Sequence, residues 1–200
     1  MPDTLVAQGN DRPSIVVHPH IGSICLPYTI LAARGLPVTA FSGQPQAVLK
    51  SIHVVESLSG KNLHQNIKLL DRNGFASLKL ADNTLKNNGI LFWQPDSVTV
   101  DSNRGVGKTF SVSMLGIQLS VPMGIFELAH RHSANLYIGY DLLRNNCSHG
   151  FDFILDPISN EGDSRQVCSA IYKAVEESIA NHIGQWIMML RWINRLSTRR

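Results

Sequence analysis

Several features that would settle a protein's class at once are missing from this sequence. Cysteine is scarce: Cys25, Cys147 and Cys168 are three widely spaced thiols in 200 residues. An odd number at such spacings favours neither a disulfide framework nor a cysteine-built zinc site. No run reaches the roughly 18 uninterrupted apolar residues of a spanning helix, so any membrane contact is expected to be peripheral. The opening stretch MPDTLVAQGNDRPS is polar and has no apolar h-region. We therefore expect no signal peptide, a reducing cytoplasm as the setting, and flexible residues 1–13. Internal repeats and low-complexity segments are absent, which excludes solenoids and long disordered linkers. Charge of one sign is also in short supply, since the net charge is only +3. That balance gives no electrostatic footprint for nucleic acid. The basic character is local, with Arg191, Arg195, Arg199 and Arg200 closing the chain. Those arginines read as a solvated helix end that could also touch an anionic lipid surface or an acidic carrier protein.

What is present is ordinary globular material, 44% hydrophobic and 16% charged. This suffices for a sizeable core, and residues 1–200 are expected to fold as one domain. Ser14 to Val17 reads as a buried strand, and GSICLPYTILAARG as a turn and helix ending at Gly35. LPVTAFS is a second strand, residues 45–58 a helix, Asp82 to Asn88 a short helix, and GILFWQPD a strand running into Pro95 and Asp96. Residues 97–109 read as loop and FSVSMLGIQL as a strand. PMGIFELAHRH reads as a helix, ANLYIGYDLL and GFDFILDPI as strands, and Ser164 to Leu196 as a long C-terminal helix. NGFASLKL is ambiguous. Strands alternating with helices predict an α/β domain with one central, mostly parallel or mixed sheet flanked by helices.

The chemistry is concentrated in HPHIGSIC. His18 and His20 share a side of an extended chain and could present two imidazoles to a metal. His53, His64, His130, His132, His149 and His182 fall into no tight ligand spacing. Neither a metal nor a cofactor is therefore expected. GVGKT at 105–109 lacks the first glycine and the leading strand of a phosphate loop, since Ser102 stands where that glycine would be, so it reads as a polar loop. A catalytic turn at a strand's carboxyl end remains, the place where α/β proteins put their sites. There Gly22 permits a tight turn or close substrate approach, and Ser23 can cap the next helix. Cys25, in the first helical turn, would gain thiolate character from the helix dipole and a protonated histidine, or would simply be a buried structural thiol. Asp96 could border the site or cap a loop. Trp93, Trp186 and Trp192 read as core or interface residues.

From Ile15 onward the chain resembles the lysophospholipid acyltransferase superfamily, specifically the bacterial lipid A late acyltransferases. HIGSIC is similar to that group's HxGNWE-like setting at His20 and Gly22, and LKNNGILFWQPDS to its segment ending in aspartate, here Asp96. FSVSMLGIQLSVPMGIFELAHRHSANLYIGY resembles a further segment through Gly116, Gly124, Leu128, Ala129 and Ala134. VEESIANHIGQWIMMLRWINR resembles the closing helix, with Glu176 or Glu177, Gln185-Trp186 and Arg191-Trp192. The resemblance implies His20 as general base for attack of an acceptor hydroxyl on an acyl thioester. Carrier protein or coenzyme A would bring the acyl group.

Two departures accompany it. Cys25 stands where the family's H-x4-E/D motif has its acid, and we expect the family's N-terminal membrane anchor to be missing. The segment FSGQPQAVLK also holds no arginine for a phosphorylated acceptor. The expectation is thus a cytoplasmic acyltransferase, or one peripheral to the inner membrane, acting on an amine or hydroxyl. His20 and Cys25 would be catalytic, Cys25 as partner of His20 or as acyl-accepting nucleophile, with Gly22, Ser23 and Asp96 binding substrate. The alternatives are a non-catalytic acyl-binding or scaffold subunit and a cysteine thioesterase.

Overall fold

The computed structural model describes residues 12–71, 75–97, 108–144 and 150–189. The fold is the α/β arrangement expected, with a long C-terminal helix. Its centre is β1 (Ser14–Val17), whose four residues are all buried. Burial on both faces is what a short, uninterrupted apolar run requires of a parallel strand. The other strands of this sheet are β2 (Val38–Ser42), β3 (Ile67–Asp71), β4 (Ile90–Trp93), β7 (Asn135–Leu143) and β8 (Phe151–Ile158), in the order β3-β2-β4-β1-β7-β8. All pairings are parallel except that of β8 with β7.

Alternation along β1 divides the interior in two. Ile15 and Val17 join a core with Leu85, Phe126 and Tyr172, whereas Val16 joins one with Leu31, Ile52 and Phe92. The first core is roofed by α3 (Phe75–Lys86), α4 (Gly124–Arg131) and α5 (Ser164–Asn181), and the second by α1 (Leu26–Ala33) and α2 (Pro45–Ser59). A separate antiparallel hairpin, β5 (Thr109–Met114) and β6 (Ile117–Pro122), packs on α5.

Four expectations need correction. Residues 67–71 form an edge strand that the periodicity did not reveal, because Lys68 and Asp71 are exposed and break the apolar run. The helix placed at 82–88 begins at Phe75 and ends at Lys86. FSVSMLGIQL is two strands, because Leu115 and Gly116 both take positive φ, 50° and 75°. That pair is the two-residue left-handed turn a hairpin needs. The last helix stops at Asn181 and passes through a 3₁₀ turn, Ile183–Gln185, into Trp186, which bridges Ile21. Most of the GVGKT loop, Cys147, His149, Trp192 and the terminal arginines lie outside the described residues.

Candidate active site

Register places the site. Val17 of β1 sits opposite Trp93 of β4, so the two strands end together at the carboxyl edge of the sheet. The His18 N–H donates to the Trp93 carbonyl at 2.8 Å, keeping the two exits side by side. His20 leaves one strand and Asp96, in the turn Pro95–Ser97, leaves the other. His20 Nδ1–H donates to Asp96 Oδ1 at 2.6 Å, and the His20 side chain is 8% exposed while that of Asp96 is not exposed at all. The second carboxylate oxygen accepts the indole Nε1–H of Trp186 at 2.8 Å. Two donors therefore compensate a carboxylate withdrawn from water, which would otherwise be very costly.

The turn bearing His20 is held from two further sides. Gly22 has φ +73°, and a Cβ there would collide with the backbone carbonyl of Asp141 and lie 2.7 Å from its carboxylate. Only glycine fits. Both Asp141 oxygens accept the Ser23 N–H at 3.0 Å, while burial pushes Asp141 up to about 6. His18 is fully buried and donates Nε2–H to the Ser23 carbonyl at 3.2 Å. Burial first, and then the neighbouring His20, push His18 down to about 4, so it serves as a neutral strut. From the other side, Gly22 N–H donates to the Gln185 carbonyl and Ile187 N–H to the His20 carbonyl.

The residues singled out in the sequence therefore take unequal places. His20 stands at the centre. Ser23 Oγ, two residues before the N-cap of α1, accepts the N–H of Leu26 at 3.2 Å. Asp96 lies beside His20, and each of its oxygens accepts a hydrogen bond inside the protein. The carboxylate beside His20 comes from Asp96, across the sheet, and the position of the expected partner, Cys25, is the N-cap of α1. There its Sγ lies 4.0 Å from Ser23 Oγ, and burial pushes the thiol up from its ordinary value.

Asp141 and the partnering role of Trp186 were missed. Trp93 does lie in the core as expected, edge-on to Phe126 at 5.3 Å. Trp186 is more deeply buried than the partly buried Trp93 and carries a polar task. The QW pair beside its 3₁₀ turn was the only sequence signal for it.

A histidine–carboxylate pair at the carboxyl edge of a mostly parallel α/β sheet stands where such folds place their sites and has the groups that acid–base chemistry uses. The chain belongs to the bacterial lipid A biosynthesis acyltransferase family, which it matches over residues 3–195. Membership makes it an acyltransferase-type enzyme with an acyl donor and an acceptor as substrates. No curated protein matches the chain. Among the described residues no helix is long and apolar enough to cross a membrane.

Proposed function

We propose that the protein carries an acyl group from a carrier-protein or coenzyme A thioester to an amine or hydroxyl acceptor, with His20 as general base. The observation behind this reading is the 2.6 Å bond from His20 Nδ1–H to buried Asp96. It fixes the tautomer in which Nε2 carries the lone pair. Nε2 takes the acceptor's proton as its oxygen or nitrogen attacks the thioester carbonyl. The carbon–sulfur bond then breaks, and the leaving thiolate recovers that proton from the imidazolium. Asp96 steadies the imidazolium between these two events.

Cys25 has no covalent role in this scheme. A thiol raised by burial stays protonated at neutral pH and is a weak nucleophile. Exposed Ile24 follows the His20 turn, and exposed Ile187, whose N–H donates to the His20 carbonyl, lies with exposed Ile183 in the segment that packs on it; together they supply apolar surface for an acyl chain. The arginine-free run FSGQPQAVLK favours an acceptor without phosphates, met in the cytoplasm or at the inner membrane's edge.

The test is release of free thiol from an acyl-coenzyme A or acyl-carrier thioester in the presence of amine and hydroxyl acceptors. His20→Ala and Asp96→Asn should each lower transfer about 100- to 10,000-fold, while Cys25→Ser stays close to wild type. An acyl adduct on Cys25 in the intact-protein mass, with loss of activity in Cys25→Ser, would replace base catalysis by the covalent route. Binding of the thioester without turnover by the wild type would make the chain a scaffold.

A further inference from the structure

On the far side of β2 from the His20 strand, α2 and the turn after it gather three metal-ligating side chains. His53 and Glu56 lie three residues apart on α2 and so share a face. Gly60, with φ +66°, ends the helix and turns the chain back, and His64 opens the 3₁₀ turn His64–Asn66 that leads into β3.

Glu56 is positioned by the backbone itself, its Oε1 accepting the N–H of Leu63 at 2.6 Å and of His64 at 2.7 Å. Onto this fixed carboxylate converge His53 Nδ1, 2.8 Å from Oε2, and His64 Nδ1, 2.8 Å from Oε1. One ligand atom from each residue lies within 4.8 Å of the others. A tetrahedral zinc ion holds such atoms at about 2.0–2.2 Å, hence about 3.4 Å apart. The imidazoles are 59% and 47% exposed, so both are free to make the shift of about 1 Å this asks of them.

We propose that His53, Glu56 and His64 form a binding site for a zinc-like divalent ion, with water completing its coordination. Two imidazole nitrogens beside one carboxylate favour zinc and its first-row neighbours over calcium and magnesium, which take oxygen. The ion would fasten the end of α2 to the start of β3, the outermost strand of the sheet. Its place is apart from the catalytic turn, and the proposal stands whether or not His20 is the base.

Chelator-stripped protein titrated with zinc chloride tests it by calorimetry and thermal unfolding. One ion should bind in the micromolar range and raise the Tm by about 5–10 °C at about a hundredfold excess over its Kd. His53→Gln and His64→Gln should each weaken binding at least about tenfold, and His130→Gln, on α4, should leave it unchanged. His53 lies on an exposed helix face, so an unaltered zinc-free Tm will certify the fold of that variant. Absence of binding overturns the proposal, as does undiminished affinity in the His53→Gln/His64→Gln double variant. An equal Tm rise with calcium would also overturn it.

Discussion

The side chains packed beneath the Gly22–Ser23 turn have opposite proton preferences. Asp141 titrates at about 6 in the folded protein against an ordinary 3.8. From about pH 4 to 6 the native state therefore binds this proton more tightly than the unfolded chain, and its contribution to stability is lost as pH rises. His18 titrates at about 4 against an ordinary 6.5. Its contribution is present above the unfolded value and lost as pH falls through about 4. The two slopes oppose each other between about pH 4 and 6, which makes the pair pH-tolerant as a unit. Denaturant unfolding at a series of pH values should separate them. Relative to wild type, Asp141→Asn should gain stability as pH rises across that window, and His18→Gln should lose it, each by about 2 kcal/mol. Parallel curves for wild type and both variants would contradict this assignment.

Among the elements, the same glycine chemistry has very different consequences at two ends of one helix. Gly22 and Gly35 both have positive φ, +73° and +82°, but a Cβ at Gly35 meets nothing within 4 Å. Gly35→Ala should therefore cost about 1 kcal/mol, the backbone preference alone. Gly22→Ala adds a collision with the Asp141 carbonyl and should cost about 2–4 kcal/mol. It should also displace His20 and abolish transfer, and equal unfolding midpoints for the two variants would show the turn to be more yielding than its packing implies.

This level was also the most legible in sequence. β1, β2 and β4 were visible because strands covered on both faces read as apolar runs, and Ser14–Val17 was placed at its observed limits. β3 was hidden because an edge strand wets one side. The hairpin was hidden because its turn is Leu115-Gly116, without an asparagine or aspartate to mark it. For the candidate site, the residues alone offered a turn with two histidines and a glycine, and the family resemblance singled out His20. The same resemblance pointed five residues along to Cys25 as its partner, while the pairing with Asp96 is made by strand order.

For the whole molecule, the decisive contact joins the end of α5 to the beginning of the chain. Trp186 reaches Asp96 across 90 residues of sequence, and its backbone neighbours bond to His20 and Gly22. No periodicity can reveal a partner at that separation. The contact sets which way the Asp96 carboxylate faces, because one oxygen is occupied by the indole and the other is left for His20. Trp186→Phe keeps most of the apolar volume and removes only the indole N–H and part of the ring. Losing that donor to a buried carboxylate should lower stability by about 1–3 kcal/mol. It should also lower kcat about tenfold with little change in KM, since the donor thioester need not touch Trp186. Trp186→Leu should lose more stability, by emptying space beside Ile21, and should retain no more activity than the phenylalanine variant. If Trp186→Phe transfers acyl groups at the wild-type rate, Asp96 is held in place by the surrounding packing alone, and the chain's end serves the site only as a lid on its core.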